Sequence, residues 1–222
     1  MQDIKIKTVA LLLTLTAATA VFTAGGCFRY EQTVVLNADG TADVTVSYSV
    51  PAVVVSEDRN PPVNPLPDAA PAAGSYVDEA AALKSAFRRF GIEVTDASVA
   101  EDDDFQTYTV YGIAPDAGAL GSSLPFFDKH ETEFKADDDS VKFSEVIENE
   151  LSKNERPTDE EKPLLEALFP DCGFTFRVVM PGPLTETNGT IGADGRTVEW
   201  RFGLAEFLFS EKIEMYVEAE TE

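Results

Sequence analysis

Tyr30-Glu31-Gln32-Thr33-Val34-Val35-Leu36-Asn37-Ala38-Asp39-Gly40-Thr41-Ala42-Asp43-Val44-Thr45-Val46-Ser47-Tyr48-Ser49-Val50 reads as two strands and the turn between them. Ala42, Val44, Val46, Tyr48 and Val50 alternate with Thr41, Asp43, Thr45, Ser47 and Ser49, a period of two that puts one face on a core and the other in water. Ala38-Asp39-Gly40 separates the two runs, and Asp39-Gly40 supplies the positive backbone dihedral that a tight hairpin turn needs.

The same alternation returns toward the C terminus. Phe174, Phe176, Val178 and Met180 alternate with Thr175, Arg177 and Val179 before Pro181-Gly182-Pro183 breaks the strand. Val198, Trp200 and Phe202, and then Ile213, Met215 and Val217, repeat the pattern. Between the two ends, Ile92 to Val99 pairs with Phe105 to Ile113 across Glu101-Asp102-Asp103-Asp104, and Glu131 to Lys135 pairs with Val141 to Ile147 across Ala136-Asp137-Asp138-Asp139. Two helices are predicted. Tyr76, Ala80, Leu83, Phe87 and Phe90 line one stripe, with Asp78 and Glu79 at its positive end, Arg88 and Arg89 at its negative end and Gly91 as the stop. Thr158-Asp159-Glu160-Glu161 resembles a capping box with Thr158 as N-cap, leading into Leu164, Leu165 and Leu168, with Pro163 tolerated in the first turn. Alternation with one wet face argues for antiparallel pairing rather than a parallel sheet. The expected fold is α+β: a curved, mainly antiparallel sheet with two covering helices, and a partly closed barrel as its nearest variant. Residues 51–74 carry prolines at 51, 61, 62, 65, 67 and 71 and read as an extended insert within a single domain spanning 27–222.

Upstream of the hairpin, Lys5 and Lys7 open a segment in which Thr8 to Phe28 carries no charge, closing on Ala24-Gly25-Gly26-Cys27. That is the layout of a bacterial lipoprotein signal over residues 1–26. Small residues before the cysteine let an extended backbone fit a narrow peptidase cleft, and the Cys27 thiol is nucleophilic enough to take a diacylglycerol. Two other readings stay open: ordinary secretory cleavage after Ala18-Thr19-Ala20, and an uncleaved helix, since a bilayer takes roughly 20 residues to cross. Five threonines and a glycine pair argue against the helix. All three place the domain outside the cytoplasm.

Without Lys5, Lys7 and Asp3, which leave with the signal, the chain carries 15 basic and 39 acidic residues, a net charge of −24. This field repels phosphate backbones and argues against nucleic acid as a partner. It equally repels anionic headgroups, so membrane attachment falls to acyl chains on Cys27. With Cys27 acylated, Cys172 is the only thiol left, which excludes an intramolecular disulfide, and its place between Asp171 and Gly173 suits a buried packing residue.

The chemistry in the chain is thin, and no cofactor is expected. His130 is the single histidine, so sites built on several imidazoles are excluded, and its neighbours Asp128, Lys129 and Glu131 suggest a solvated residue on a strand edge. Gly121-Ser122-Ser123-Leu124 lacks the context of a nucleophile elbow, and Gly189, Gly192 and Gly195 form no phosphate-cradling loop. Asp102 to Asp104 and Asp137 to Asp139 offer hard oxygens to calcium, but neither run has the spacing of an EF-hand loop. Asn188-Gly189-Thr190 matches a glycosylation sequon and reads as a turn.

Three stretches together resemble the LppM-type family of bacterial envelope lipoproteins. They are Val34-Val35-Leu36-Asn37-Ala38-Asp39-Gly40-Thr41; Phe176-Arg177-Val178-Val179-Met180-Pro181-Gly182 with Thr187-Asn188-Gly189; and Arg196-Thr197-Val198-Glu199-Trp200-Arg201-Phe202. The resemblance covers about a quarter of the mature chain and rests on pattern, not on a site motif. It implies a non-enzymatic domain at the membrane surface with an apolar pocket for lipid or glycolipid. The chain departs from the family in the proline-rich insert and in its polar ending Val217-Glu218-Ala219-Glu220-Thr221-Glu222. The leading expectation is a lipid-anchored, non-enzymatic envelope protein that binds an apolar ligand or a protein partner. The alternative is a structural or adhesive acidic protein with weak calcium binding.

Overall fold

The computed structural model describes residues 28–51, 84–85, 87–88, 92–102, 105–120, 129–148 and 158–221. Alternating sequence becomes strand wherever it was expected. The opening hairpin is β1 (Arg29–Leu36) and β2 (Ala42–Pro51), joined through Gly40 at φ +85°. Two further hairpins follow, β3 (Glu93–Glu101) with β4 (Phe105–Ala114) and β5 (Lys129–Ala136) with β6 (Ser140–Glu148). The C-terminal part holds α1 (Lys162–Leu168), β7 (Gly173–Val179), β8 (Leu184–Thr187), β9 (Thr190–Ile191), β10 (Thr197–Gly203), α2 (Leu204–Phe209) and β11 (Lys212–Glu220).

These strands form two sheets rather than the single sheet expected. Seven strands run in the order β3-β4-β2-β1-β7-β10-β9, and four in the order β5-β6-β11-β8. Among the described residues the fold is therefore mainly β, with two short helices bounded in its C-terminal part, and neither sheet closes into a barrel. The larger sheet is also mixed, because β1 and β7 pair in parallel, Arg29 opposite Gly173 through Val35 opposite Val179. Alternation is uninformative about this pairing, since it reports which face is wet and not the direction of the neighbour.

One core fills the space between the sheets. Val34, Leu36, Val44, Val46, Val110, Phe176, Val178 and Val198 come from the larger sheet, and Val141, Phe143, Ile147, Ile213, Met215 and Val217 from the smaller. Each of these positions falls on the buried half of its strand's alternation, as the period-two reading requires. Tyr48 and Tyr108 stack across β2 and β4 at 4.6 Å.

The helices depart most from expectation. Thr158 and Glu161 do bond, with the Thr158 N–H and hydroxyl donating to Glu161 Oε2 at 2.7 and 3.0 Å, yet α1 starts a turn later with Glu161 at its N-cap. Nor does α1 cover the core: none of its residues is buried, and Leu164 and Leu168 are each 57% exposed. α2 had no counterpart in the sequence reading. Of the helix expected around residues 76–90, only 84–85 and 87–88 lie among the described residues; all four are helical and Phe87 is buried. The insert lies outside them apart from Pro51, which ends β2.

Candidate functional site

The residues that follow the candidate lipidation site build one end of the molecule. Phe28 accepts a hydrogen bond on its carbonyl from the Gly173 N–H at 3.2 Å, and its ring lies 5.8 Å from that of Phe174. Phe174 in turn stacks on Phe207 of α2 at 4.0 Å and meets Tyr30 at 6.0 Å. α2 is held there by its own first residue, whose N–H donates to the Cys172 carbonyl at 3.0 Å. α1 joins the cluster through Lys162, whose ammonium sits 5.5 Å over the Phe209 ring. The start of β1, the start of β7, the end of β10 and both helices thus converge beside Phe28. Phe28, Phe174 and Phe207 remain only partly buried.

Between the sheets runs a second feature, a chain of buried polar groups. Tyr30 donates from its hydroxyl to Gln32 Oε1 at 2.9 Å, and Gln32 donates from Nε2 to both carboxylate oxygens of Glu145 at 3.1 and 3.3 Å. The other side of Glu145 meets His130 Nε2. Gln32, His130 and Glu145 are all buried, so the larger sheet is tied to the smaller through polar atoms inside an apolar core. Burial first, and the Glu145 carboxylate second, push the Tyr30 hydroxyl well above the ordinary tyrosine pKa. In a low-dielectric interior such groups are tolerable only when their hydrogen bonds are made. Asn188 provides a second tie between the sheets. Its Oδ1 accepts from the Trp200 indole at 2.7 Å and from the Tyr216 N–H at 3.1 Å, while its Nδ2 donates to the Glu214 carbonyl at 2.8 Å.

The sequence-predicted residues separate into several groups. Cys27 and its flank Ala24, Gly25 and Gly26 lie outside the described residues. Cys172 is buried as expected. His130 is on an edge strand, as read, but it is not solvated: it is 5% exposed and faces Glu145. Glu145 and Gln32 were missed altogether. The signal that could have found them is their place on the inward half of alternating strands, where Glu145 stands between Phe143 and Ile147 and Gln32 between Tyr30 and Val34. Asn188-Gly189 is a crossing from the four-stranded sheet to the seven-stranded one, not a hairpin turn. Gly189 is needed there because a Cβ would come within 2.7 Å of the Trp200 ring.

The acidic turns turn their oxygens on themselves. Asp137 Oδ1 accepts from the N–H groups of Asp139 and Ser140 at 3.0 and 2.7 Å, and these bonds hold its carboxyl below the usual value. Asp102 Oδ1 accepts from the Phe105 N–H at 2.7 Å. An open depression of about 550 Å³ beside the first of these turns is lined by Asp137, Asp138, Asp139, Thr185, Glu218 and Glu220. Among the described residues, no group of three His, Cys, Asp or Glu side chains is placed to hold a metal ion.

Among solved structures, the chain is similar to the NMR structure of the folded domain of Mycobacterium tuberculosis LppM, with a TM-score of 0.47 and 13% identity over 88% of this chain and 91% of that one. That protein belongs to the family the three sequence stretches resemble. No family model matches the chain, and no curated protein matches it.

Proposed function

We propose that the chain is a lipid-anchored, non-enzymatic protein of the bacterial cell envelope that binds an apolar molecule or a protein partner at the membrane surface. The observation that carries this reading is the position of Ala24-Gly25-Gly26-Cys27 relative to the fold. Phe28 already packs on Phe174, and β1 begins at Arg29. A thioether-linked diglyceride on Cys27 therefore holds the sheets against the bilayer with no spacer between. The half-buried rings of Phe28, Phe174 and Phe207 supply apolar surface on that same end.

One observation supports the non-enzymatic part: the one imidazole in the chain is buried with its carboxylate partner inside the core, away from solvent. The open depression is lined largely by carboxylates, so an apolar ligand is better served by the half-buried rings beside Phe28. No nucleic acid partner fits a net charge of −24. The calcium reading draws no support from turns whose carboxylates cap their own backbone.

Metabolic labelling with palmitate tests the proposal. The wild-type chain is expected to take up label and to float with membranes, and Cys27→Ala to do neither. An intact mass showing an unmodified amino end upstream of Cys27 overturns it.

A further inference from the structure

Three large apolar side chains of similar exposure lie at opposite ends of the molecule. Leu164 and Leu168 on α1 are each 57% exposed, and Ile191 on β9 is 55% exposed. The leucines are four residues apart on one helix and so share a face. Their helix touches α2, and α2 is fixed to the start of β7 through Cys172 and Phe174, beside Phe28. Ile191 pairs with Val198 toward the other end of the sheet. β11 leaves the helical end at Lys212 and travels nine residues, about 27 Å at the usual strand rise, to Glu220. There the acidic depression lies, with Asp137, Asp138, Asp139, Glu218 and Glu220 around it. β11 therefore runs from an end with exposed leucines to an end dense in carboxylates.

We propose that the Leu164–Leu168 face of α1 rests in the outer part of the bilayer that holds the Cys27 lipid, which fixes the domain upright with its acidic end pointing away. The inference depends on the anchor reading above. What selects a bilayer as the occupant is where the chain goes: Cys27 is one residue, roughly 3.8 Å between Cα atoms, before Phe28, and Phe28 belongs to the cluster that carries α1. An acyl chain leaving that point brings lipid to the leucines without any intervening linker. Charge narrows the lipid further. Within residues 158–171, Asp159, Glu160, Glu161, Glu166 and Asp171 flank the leucines in sequence against the one cation Lys162, so neutral headgroups suit this segment and anionic ones oppose it.

The test uses the full acylated chain, purified in detergent and reconstituted into phosphatidylcholine vesicles. Leu164→Cys, Leu168→Cys and Ile191→Cys are each labelled with an environment-sensitive fluorophore, and quenching by nitroxide-bearing phosphatidylcholine is read. Cys172 is buried and stays unlabelled in the native fold. Quenching at positions 164 and 168 is expected to exceed that at 191 at least threefold. It should fall by half or more when a third of the lipid is phosphatidylglycerol. Equal quenching at all three positions on a chain whose mass shows the acyl group overturns the docking face and leaves the anchor intact. An unacylated chain overturns both. A blue-shifted label at 164 that nitroxide lipid does not quench means that protein covers the leucines, which also overturns the proposal.

Discussion

Glu145 is 1% exposed and faces His130 on one side and Gln32 on the other, so its removal would take a hydrogen-bond acceptor from two buried side chains at once. Breaking such a pair from one side costs about 3–5 kcal/mol, more than the lost contacts alone. Glu145→Ala is therefore expected to lower unfolding stability by about 3 kcal/mol in urea titrations, and Glu145→Gln, which keeps an acceptor for Gln32, by less than half of that. Asp194 shows the opposite situation, an exposed carboxylate whose effect is set by pH. The Thr197 hydroxyl first, then the Thr197 and Arg196 N–H groups, lower its pKa from 3.8 to about 2. A carboxyl depressed on folding stabilises the native state above its ordinary pKa, and that contribution fades as pH falls through the folded value. The thermal midpoint of Asp194→Ala should lie below wild type at pH 6, with the gap closing between pH 4 and pH 2; a gap of constant size would count against this cause. How legible these residues were depends on which cue was used. The flanking charges of His130 pointed to solvent, whereas alternation along Lys129 to Ala136 puts His130, Thr132 and Phe134 on one side and Glu131, Glu133 and Lys135 on the other, and the structure follows the alternation.

At the level of elements, neighbouring strands and the two sheets meet where single residues allow it. Gly173 and Gly203 face each other at the ends of β7 and β10, yet they differ in what a methyl group would meet. A Cβ on Gly173 would come within 2.5 Å of the Phe202 carbonyl oxygen, and one on Gly203 would meet nothing within 4 Å. Gly173→Ala should therefore cost about 1–3 kcal/mol by forcing the strands apart. Gly203→Ala should stay within about 0.5 kcal/mol, because its φ of −64° suits alanine and the small loss at a helix N-cap offsets the gain. Asn188 carries more, since it accepts from Trp200 in one sheet and bonds the backbone of β11 in the other. Asn188→Ala is expected to cost about 2 kcal/mol and to alter the fluorescence of the only tryptophan in the chain, a readout that a remote defect would leave unchanged. The sequence announced a break at Asn188-Gly189 but not its meaning, because a crossing between sheets and a hairpin turn use the same residues. The parallel pairing of β1 with β7 was equally hidden: about 140 residues separate the partners, and no local pattern encodes which distant strand will lie alongside.

For the molecule as a whole, charge is the property read most directly from sequence, and it sets a contest between attraction and repulsion. Among exposed ion pairs, Lys142 with Glu218 joins neighbouring strands, while Lys135 with Glu133 and Lys212 with Glu214 lie within one strand each, and all favour the fold. Pairs of this kind are worth about 0.2–1 kcal/mol each, and salt weakens them. Against them stands an excess of 23 acidic over basic side chains in the full sequence. Two like charges about 10 Å apart in water repel by roughly 0.4 kcal/mol, so an excess of this size amounts to several kcal/mol even with one near neighbour apiece. Repulsion outweighs the ion pairs, and the folded state suffers it more because its charges are held closer together. Raising sodium chloride from about 10 mM to 500 mM shortens the screening length from about 30 Å to under 5 Å, which removes most repulsion at that spacing and less of the attraction at contact. The thermal midpoint is expected to rise by at least about 5 °C over this range. The same rise in potassium chloride would separate screening from specific ion binding, and a midpoint that falls with salt would mean that the ion pairs, not the excess charge, govern stability.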